Sequence, residues 1–573
     1  MVEILHKRFS RDLWRLTRLY WKSEEKWRAL ALLAVIVALN LGSVYMLVLI
    51  NKWYNTFYNA LQNFDAAGTW AALRDFAPLA AIYIIIAVYA FYLQQILQVR
   101  WRRWLTERYL GDWLTNRNYY RMQLWKTGTD NPDQRISEDV GLFVSLTMGL
   151  SLGLLKASVT LVSFAGILWA LSGTLNLPLG NGQIAIPGYM LWVAICYAAV
   201  GTWLTARIGR PLINLNFNQQ RYEADFRFSL IRLRENSESV ALYGGEAEER
   251  NLFRGRFARV IENFLELVRR RKILVWFTSG YAQIAIIFPT LMAAPRYFAK
   301  EIQLGGLMQI TEAFGRVQDA LSYFVDAYPQ LAEWRAVVNR LSGFTDHMQA
   351  VMVMDREKDI RLTGHSAPEI IVTSLDIDLP GGENLLSSLE LKLAPAATLL
   401  IAGPSGSGKS TLLRTLAGLW PFGKGTISVP RGQKVLFIPQ KPYLPLGSLR
   451  QALMYPGTPG RVSDGVMREI MELCRISELI DHLDTTADWS HILSLGEQQR
   501  IAFARALLHQ PEWLFLDEAT SALDEPTEKA LYQLLQDKLP RTAIVSVGHR
   551  NTLNAFHRGK LTLTGNGQWN ILY

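Results

Sequence analysis

The chain has 573 residues, of which 50% are hydrophobic and 19% charged, and its formal net charge is +10. A net positive charge also occurs in nucleic-acid-binding proteins. Here, however, the basic residues cluster beside apolar runs, as they do in the cytoplasmic loops of membrane proteins. This distribution argues against nucleic acid as a partner. The two cysteines, Cys196 and Cys474, lie far apart in apolar or helical stretches, which predicts two buried thiols and excludes a disulfide framework.

The first 28 residues have a basic, helical pattern. Residues 7–28 place many Arg and Lys among Leu, Trp and Tyr at helical spacing, which predicts an amphipathic helix on the inner membrane surface. A soluble DNA-binding arm is the alternative, and the apolar run that follows argues against it. We expect residues 1–28 to form an N-terminal elbow in contact with membrane lipid, and we expect no secretory signal peptide.

Five apolar runs are long enough to span a bilayer. They are Ala29–Ile50, Phe76–Leu97, Leu142–Ser172, Gly188–Ala206 and Ile273–Ala294. The loops between them differ in charge, since residues 100–121 and 207–272 are rich in Arg, whereas residues 173–187 carry no charge. The basic loops are therefore predicted to be cytoplasmic and the neutral ones external.

A sixth crossing is needed to return the chain to the cytoplasm. Thr311–Glu333 lies in the only candidate region, although it carries charges that are costly inside a bilayer. Their spacing gathers them on one side of a helix, and apolar residues cover the other sides. This polar stripe consists of Glu312, Arg316, Asp319, Tyr323 and Asp326. We expect it to face a hydrated interior, and we expect Pro329 to kink or interrupt the helix.

Two long basic loops, Gln98–Asp139 and Ala206–Lys272, keep helical periodicity, which predicts helices that extend far into the cytoplasm. After about Asp355 the pattern changes to short β-branched strands, Gly/Pro turns and helices, which is typical of a soluble α/β domain. The predicted organisation is multidomain. An all-α transmembrane domain of six helices at residues 29–349 is followed by a linker at 350–366 and an α/β domain at 367–573.

The α/β domain contains a phosphate-binding loop. The strand Thr398–Gly403 runs into GPSGSGKST and then into a helical segment, which is the context that this motif requires. Lys409 is predicted to pair with the β- and γ-phosphates, and the Ser410 hydroxyl is predicted to hold Mg²⁺. The predicted nucleotide-binding residues here are Gly403, Pro404, Ser405, Gly406, Ser407, Gly408, Lys409, Ser410 and Thr411.

A second apolar strand, WLFLDE at Trp513–Glu518, ends in two carboxylates. Asp517 is predicted to orient Mg²⁺, and Glu518 is predicted to polarise the attacking water as a general base. The sequence therefore predicts an α/β P-loop nucleotide-binding domain that hydrolyses ATP, with ATP and Mg²⁺ as cofactors.

The segment LSLGEQQRIAFARALLHQP, Leu493–Pro511, resembles the LSGGQ-type signature of ATP-binding cassette (ABC) transporters. The other motifs follow in the order of that family. Gln440 in FIPQKPY resembles the glutamine loop, SALD at Ser521–Asp524 the D-loop, and His549 in VGHR the switch histidine. The resemblance covers the whole nucleotide-binding half. It implies that Gln440 and His549 are catalytic beside Glu518, and that Gln440 also contributes to the Mg²⁺ site.

The signature implies a dimer. Ser494 and Gly496 lie at a helix start, where a hydroxyl and backbone amides can contact a γ-phosphate, and Glu497 is included among the nucleotide-binding residues. In the family that phosphate is bound by the other subunit. With one cassette and six spans, the chain resembles a half-transporter, and a homodimer is the simplest solution. Leu495 and Glu497 stand where the family commonly has Gly and Gln, and we expect both changes to be tolerated.

One departure concerns the base of the nucleotide. The family usually has an aromatic residue upstream of the phosphate loop that stacks on adenine, but Thr373–Leu393 contains no aromatic residue. Adenine is then held by Leu379, Pro380 or their neighbours, or by a residue from elsewhere in the chain, and nucleotide selectivity could be loose.

The membrane half narrows the resemblance. NPDQRISEDV at Asn131–Val140, EADFRFSL at Glu223–Leu230 and PQKPYLPLGSLRQALMYP look like the peroxisomal fatty-acyl-CoA half-transporters and their bacterial relatives, including SbmA/BacA-type importers. The shorter chain favours a bacterial relative. This resemblance implies an exporter (type IV) fold. It also implies a role in coupling cassette closure to the membrane domain for Asn131, Pro132, Asp133, Gln134 and Arg135. Asn131 and Pro132 equally fit an ordinary helix start.

We therefore expect an ATP-driven transporter in the bacterial inner membrane, a multi-pass protein whose ATP-binding domain is cytoplasmic. One alternative is a soluble-type ABC ATPase that acts in repair or translation, and the sorted loop charges argue against it. Another is an ATP-gated channel or membrane regulator, and the unaltered Glu518 and His549 argue against that.

The polar stripe favours a substrate class. A wall with more carboxylates than cations suits neutral or cationic hydrophilic solutes, such as peptides, antibiotics or cobalamin-like compounds. The alternative is an acyl-CoA or lipid-like substrate, or export, and basic residues such as Lys156 could offset the acid. A second interpretation is that Arg316 pairs with Glu312 or Asp319 and only locks helices together. The sequence does not encode direction, and we favour import.

Overall fold

The computed structural model describes residues 2–573 apart from 126–130, 180–181, 357–358, 458–459 and 461. The chain forms two compact units, which we call the membrane unit and the cassette unit. The membrane unit comprises Met1–Thr115 and Gly128–Asp346, and the cassette unit comprises Asn116–Thr127 and His347–Tyr573. The division falls within a helix, and the predicted domain boundaries stay predictions.

Helices make up nearly all of the chain before the first cassette strand. They are α1 (Val2–Trp21), α2 (Lys26–Gln62), α3 (Ala66–Leu114), α4 (Asn118–Leu124), α5 (Pro132–Gln134), α6 (Val140–Ser172), α7 (Tyr189–Glu235), α8 (Ser237–Tyr243), α9 (Glu246–Phe298), α10 (Leu304–Asp326) and α11 (Tyr328–Arg356). A π-helical turn at Arg135–Asp139 joins α5 to α6. Five described segments are long and apolar enough to cross a membrane, and they contain the five predicted spans.

The long helices predicted for Ala206–Lys272 are confirmed, whereas helix α3 continues into the loop Gln98–Asp139 only to Leu114. Helix α7 has 47 residues and α9 has 53. At 1.5 Å per residue they are about 70 and 80 Å long, more than twice the hydrocarbon thickness of a bilayer. Each of these two helices therefore continues well beyond the span predicted within it.

Helix α1 has the amphipathic character predicted for the elbow. Asp12, Leu16 and Tyr20 follow at intervals of four residues and are buried, whereas Trp14 on another face is 65% exposed. The Tyr20 ring stacks on Trp101 of α3 at a centroid distance of 5.5 Å. The buried stripe fixes α1 to the helical bundle, and contact of its other side with lipid stays a prediction.

Helix α10 packs into the bundle by its apolar side. Its buried apolar side chains are Leu307, Ile310, Ala313, Phe314, Val317 and Ala320, and it contacts α2, α6, α7 and α9. The helix ends at Asp326 and α11 begins at Tyr328, so the interruption predicted near Pro329 is confirmed. Pro329 is the second residue of α11, where its missing N–H removes no helical hydrogen bond.

Three local expectations differ from the structure. The neutral segment 173–187 contains an antiparallel hairpin, β1 (Thr174–Leu179) and β2 (Gly182–Pro187), rather than a plain loop, because its apolar residues alternate with a period of two. Cys474 is buried as predicted, but Cys196 on α7 is exposed, and that prediction was wrong. An apolar run does not show which of its residues face other helices.

The third expectation that differs from the structure concerns the segment 350–366. It was predicted as a linker, yet α11 continues to Arg356, and a strand begins at Asp359 and pairs along its whole length with a cassette strand. Residues 357–358 lie outside the described part. The end of α11 and the strand could not be recognised from the sequence, because charged residues are spread through this stretch and neither element shows a clear apolar period.

The cassette unit has two mixed sheets. The strands are β3 (Asp359–His365), β4 (Ile370–Asp378), β5 (Asn384–Leu393), β6 (Thr398–Ala402), β7 (Gly423–Pro430), β8 (Val435–Ile438), β9 (Gly447–Ser448), β10 (Thr486–Ala487), β11 (Trp513–Asp517), β12 (Ala543–Val547), β13 (Gly559–Gly565) and β14 (Gln568–Leu572). One sheet has the order β14-β13-β6-β12-β11-β8, and the other β3-β7-β4-β5; β9 and β10 form a short pair.

Further helices follow β6 in the described part of the cassette unit, which also contains α4 and the end of α11. They are α12 (Lys409–Leu416), α13 (Leu449–Met454), α14 (Asp464–Leu473), α15 (Trp489–Ile492), α16 (Leu495–His509) and α17 (Glu525–Lys538). Strands β8, β11, β12, β6 and β13 are parallel, so their carboxyl ends meet at one edge. The phosphate-binding loop follows β6 and the carboxylate pair ends β11, and this edge brings them together.

Candidate nucleotide-binding and hydrolysis site

The phosphate-binding loop occupies residues 403–408, between β6 and α12. Gly408 has φ +94°, which a residue with a side chain rarely adopts, and a Cβ there would lie 2.8 Å from the Leu385 side chain. A Cβ on Gly403 would collide with the carbonyl of Leu563. Backbone geometry therefore requires these two glycines, and the loop leaves the N-terminus of α12 open towards an anion.

Lys409 folds over the loop that carries it. Its side chain is buried, and its Nζ donates hydrogen bonds to the carbonyls of Gly403 at 3.0 Å and Pro404 at 2.8 Å. Burial lowers the pKa of Lys409, and the carboxylates of Glu518 and Asp517 act in the opposite direction. The ammonium group thus lies at the loop, where it can exchange carbonyl partners for phosphate oxygens.

The predicted Mg²⁺ ligands meet at the edge of the sheet. Ser410 Oγ donates a hydrogen bond to Asp517 Oδ1 at 2.8 Å. Burial raises the pKa of Asp517, and the bond from Ser410 opposes that shift. A hydroxyl, a carboxylate and the side-chain amide of Gln440 are the oxygen donors that Mg²⁺ prefers, so these residues fit the ion.

Glu518 is the centre of the predicted catalytic group. Gln440 Nε2 donates to Glu518 Oε2 at 3.0 Å, and His549 Nε2 lies 3.2 Å from Glu518 Oε1. Glu518 also has φ +48°, a strained conformation for a residue with a side chain that is typical of functional sites. The structure therefore brings together all three predicted catalytic residues, and their roles in hydrolysis stay predictions.

The signature residues form the start of α16. Ser494 Oγ accepts from the backbone N–H of Glu497 at 3.3 Å, and the Glu497 carboxylate accepts from the N–H of Ser494 at 2.8 Å. This capping box is a physical reason to expect that Glu is tolerated where the family has Gln, and that expectation stays a prediction. Within the described residues of one chain, Ser494, Gly496 and Glu497 share no hydrogen bond with the phosphate-binding loop.

Sequence reasoning missed Gln499, the second glutamine of GEQQR. It is fully buried, and its Nε2 donates to the Gln440 carbonyl at 3.0 Å and to Ser521 Oγ at 3.1 Å. Its Oε1 accepts from the N–H of Ala522 at 3.0 Å. One amide thus joins the signature helix to the glutamine loop and to the D-loop, and only the folded contacts show this.

We expect Gln499→Leu to slow ATP hydrolysis and to destabilise the cassette unit by about 1–3 kcal/mol, since a Leu of similar size leaves buried polar groups without partners. The matched control is Gln498→Leu. Gln498 is also buried, but it donates to the carbonyls of Ser490 and Leu493 and not to either loop. Melting curves and ATPase rates per folded molecule should separate the two variants. Equal ATPase rates in the two variants would contradict the proposed role of Gln499 in linking the signature helix to the two loops.

The predicted coupling residues belong to the membrane unit. Arg135 Nη1 bonds Asp139 Oδ2 at 2.6 Å, and Asn131 and Pro132 take the N-cap and first positions of α5, although Asn131 makes no side-chain capping bond to the helix. Asp133 and Gln134 complete α5. The neighbouring segment Asn116–Thr127 instead belongs to the cassette unit. A coupling role for residues 131–135 stays a prediction.

Helix α4 is held on the cassette unit by several contacts. Arg117 Nη1 donates to the Ala417 carbonyl at 3.0 Å, Arg121 pairs with Asp355 at 2.8 Å, and Leu124 packs against the cassette core. This attachment, which sequence reasoning did not predict, is made by residues that precede the predicted coupling segment.

The polar stripe lies on one side of α10, opposite the buried apolar residues. Arg316 Nε donates to Glu312 Oε1 at 2.8 Å within the same helix, so this pair does not tie two helices together. Tyr323 Oη donates to the Leu150 carbonyl of α6 at 3.0 Å and does tie them. Asp319 and Asp326 are exposed in the chain. The pairing of Arg316 with Glu312 was therefore predicted correctly. The prediction that this pair locks two helices together was wrong, because both residues lie on α10.

Two family profiles match the chain. The profile described as ABC transporter transmembrane region 2 matches residues 16–298, and the ABC transporter profile matches residues 386–521. A protein of Haemophilus influenzae named "Uncharacterized ABC transporter ATP-binding protein" is 38% identical over 98% of this chain and 94% of its own length. The chain belongs to the ABC transporter family. It is an ABC half-transporter, and its ATPase activity is coupled to transport.

Other relatives show the subgroup of this ABC transporter. The inner membrane ABC transporter ATP-binding protein YddA of Escherichia coli is 33% identical over 93% of each chain. The human lysosomal cobalamin transporter ABCD4 is 29% identical over 96% of this chain and 94% of its own length. The resemblance to peroxisomal-type and bacterial half-transporters is confirmed.

A solved structure confirms the fold. The ATP-bound structure of a bacterial Atm1-family ABC exporter covers 95% of this chain and 94% of its own, with a TM-score of 0.69 and 17% identity. The predicted fold, a helical transmembrane domain of exporter type followed by an α/β nucleotide-binding domain, is therefore correct. Five described helices are apolar enough to span a membrane, and the predicted sixth crossing, Thr311–Glu333, is divided between the more polar α10 and the start of α11 and stays a prediction.

Proposed function

We propose that this ABC transporter works as a homodimer in the bacterial inner membrane, and that it imports hydrophilic solutes such as peptides, antibiotics or cobalamin-like compounds. The polar stripe is the observation that supports this substrate class. Its one cation, Arg316, is already paired with Glu312, whereas Asp319 and Asp326 are exposed. A dimer doubles these acids, and a hydrated acidic wall attracts cationic solutes, accommodates neutral polar ones and repels anionic acyl-CoA.

Two observations support the homodimer. The signature residues and the phosphate-binding loop of one cassette share no hydrogen bond among the described residues, which fits a site completed by a second copy. Helix α8 also leaves Leu242 80% and Tyr243 89% exposed, outside the apolar spans. A second copy of the chain would cover such residues and supply the signature to each phosphate-binding loop.

In this proposal Lys409 and the loop amides hold the phosphates, while Ser410, Asp517 and Gln440 hold the metal. A Mg²⁺ ion held by these three residues would supply positive charge that offsets the charge developing on the phosphates. Glu518 accepts the proton of the attacking water. His549 and Gln440, each near one of its carboxylate oxygens, keep that group oriented.

The relatives support the subgroup and leave the direction as a proposal. YddA is named as an inner membrane protein, and the human relative as a cobalamin transporter. Cobalamin is a large hydrophilic solute, which agrees with the polar stripe. The proposal of import is supported by the resemblance to the SbmA/BacA-type importers.

The test is transport by the purified protein in inside-out and right-side-out vesicles. The panel contains labelled hydrophilic peptides, a cobalamin and an acyl-CoA, and Glu518→Gln is the inactive control. We expect ATP-dependent movement of the hydrophilic solutes towards the cassette side, and none with the control. Acyl-CoA movement alone would contradict the substrate class, movement away from the cassettes would contradict import, and substrate-stimulated ATPase without movement would favour a channel or regulator.

A further inference from the structure

A cavity of about 450 Å³ lies in the cassette unit beside the loop that joins β4 to β5. Its lining includes Leu379 and Pro380 of that loop, together with two aromatic residues from elsewhere, Trp125 and Phe422. Its volume falls in the range of small-molecule sites. Its position in the fold indicates which ligand it fits.

The same β4–β5 hairpin touches the phosphate-binding loop. The loop closes through hydrogen bonds from Leu379 N–H to the Glu383 carbonyl at 2.8 Å and from Gly382 N–H to the Leu379 carbonyl at 2.9 Å. Three residues after Gly382, the Leu385 side chain packs against Gly408. Three residues of strand span about 10 Å. The cavity and the phosphate site are therefore neighbours on one hairpin.

The two aromatic rings form a wall of the cavity. The Trp125 and Phe422 rings have centroids 4.7 Å apart and are tilted by 57°. Phe422 is supported from behind by Trp420, whose ring is 5.3 Å away and whose Nε1 donates to the Asp378 carbonyl at 2.9 Å. The chain thus places a supported indole beside the loop whose own sequence has no aromatic residue.

We propose that the base of the bound nucleotide occupies this cavity and stacks on Trp125, with Phe422 beside it and Leu379 and Pro380 on the hairpin side. This inference rests on the proposed function in one respect, namely that ATP binds with its phosphates at residues 403–411. An aromatic ring that stacks on a base provides much of the affinity for it. Trp125 then replaces the aromatic residue that is missing from Thr373–Leu393.

The cavity also offers hydrogen-bond acceptors to the base. Asp359 and Asp378 contribute to its lining, and Asn384 Nδ2 donates to Asp378 Oδ1 at 3.0 Å, which fixes that carboxylate. Ionised carboxylates only accept hydrogen bonds. The 6-amino group of adenine can donate to them, and so can the 2-amino group of guanine. The carboxylates therefore suit an amino-bearing purine and do not by themselves separate ATP from GTP, which agrees with the loose selectivity expected from the missing aromatic residue.

Trp125 directly follows α4, the helix that Arg117, Arg121 and Leu124 hold on the cassette unit. The segment that contains α4 connects the membrane-unit helices α3 and α6 along the chain. Stacking of the base would therefore bind the nucleotide to this connecting segment as well as to the cassette. It gives ATP a direct contact with a segment inserted between two long membrane helices.

The test uses the full-length protein in lipid nanodiscs, with Trp125→Ala and Trp125→Phe compared with the wild type. We expect Trp125→Ala to raise KM for ATP by about five- to a hundredfold, more than it lowers kcat, and Trp125→Phe to restore most of the loss. Inhibition by tripolyphosphate, which has no base, should stay the same in all three. Trp27→Ala, which removes an exposed indole of the membrane unit, serves as the control with unchanged KM.

Photolabelling with 8-azido-ATP provides a second measurement that does not depend on turnover. Labelled peptides that contain Trp125 or Leu379–Pro380 would support the proposal, and labelling only elsewhere in the cassette would overturn it. An unchanged KM in Trp125→Ala, or an equal loss for ATP and tripolyphosphate, would also overturn it. Failure of Glu518→Gln to block transport would contradict the proposed function and leave these affinity results intact, so the two failures are distinguishable.

Discussion

Glu518→Gln is expected to lower ATP hydrolysis by about 100- to 10,000-fold and to abolish transport. Gln is nearly the same size as Glu and still hydrogen-bonds, so Gln440 and His549 keep a partner at about 3 Å. It cannot accept the proton of the attacking water, and the range given is the usual contribution of a general base. ATP binding should persist, because the phosphate-binding loop and the Ser410–Asp517 pair are unchanged.

The matched control is Glu497→Gln, which makes the same chemical change in the signature. Glu497 forms the capping box with Ser494, and Gln forms the same box, so we expect near wild-type hydrolysis. Measurements of phosphate release and of nucleotide binding on both variants separate chemistry from binding. If Glu518→Gln retained more than about a tenth of the wild-type rate, a different group would have to act as the base.

The motifs of the cassette could be located from the sequence because each is a short run fixed to a strand end. β6 and β11 are both apolar strands of a parallel sheet, and their carboxyl ends meet at one edge whatever the rest of the chain does. Ser410 and Asp517 could therefore be assigned to one site from the sequence alone. Hydropathy likewise located five spans, since membrane thickness sets their length.

Contacts between distant segments could not be predicted in this way. Gln499 joins two loops that lie 59 and 22 residues away in the chain, and nothing in the letters GEQQR distinguishes it from Gln498. Trp125 lies 297 residues from Phe422, its ring partner. The absence of an aromatic residue in Thr373–Leu393 was visible, but its replacement depended on how α4 packs against the cassette core.

The predicted coupling segment illustrates the same limit. Sequence reasoning chose NPDQR by resemblance and did not single out Asp139, four residues beyond Arg135, which binds both Arg135 and Arg340. Asp139 ends the π-helical turn, and π-helical turns are often found at functional sites. Its side chain is 2% exposed, yet a carboxylate in a helical stretch gives no sign in the sequence of being buried.

Asp139→Asn is expected to destabilise the membrane unit by about 3 kcal/mol. Asp139 accepts hydrogen bonds from Arg340 Nε at 2.9 Å and Nη2 at 2.6 Å, and from Arg135 Nη1 at 2.6 Å. Removing the charge leaves two guanidinium groups around a neutral amide that can accept at only one of its two heavy atoms. The estimate is the lower end of the range for breaking a buried pair, because Arg340 is 38% exposed and water screens part of the loss.

The control for Asp139→Asn is Asp346→Asn, which breaks another Asp–Arg pair of the membrane unit. Asp346 bonds Arg15 at 2.7 Å, a distance close to those at Asp139, but the two side chains are 41% and 35% exposed. An exposed pair contributes below about 1 kcal/mol, so thermal unfolding in detergent should shift by several degrees for Asp139→Asn and very little for Asp346→Asn. Equal shifts would show that burial does not set the strength of the pair. Helix α11 carries Arg340 and continues to Arg356, immediately before the cassette strands. Weaker ion pairs at Asp139 should therefore also lower the amount of solute transported per ATP hydrolysed.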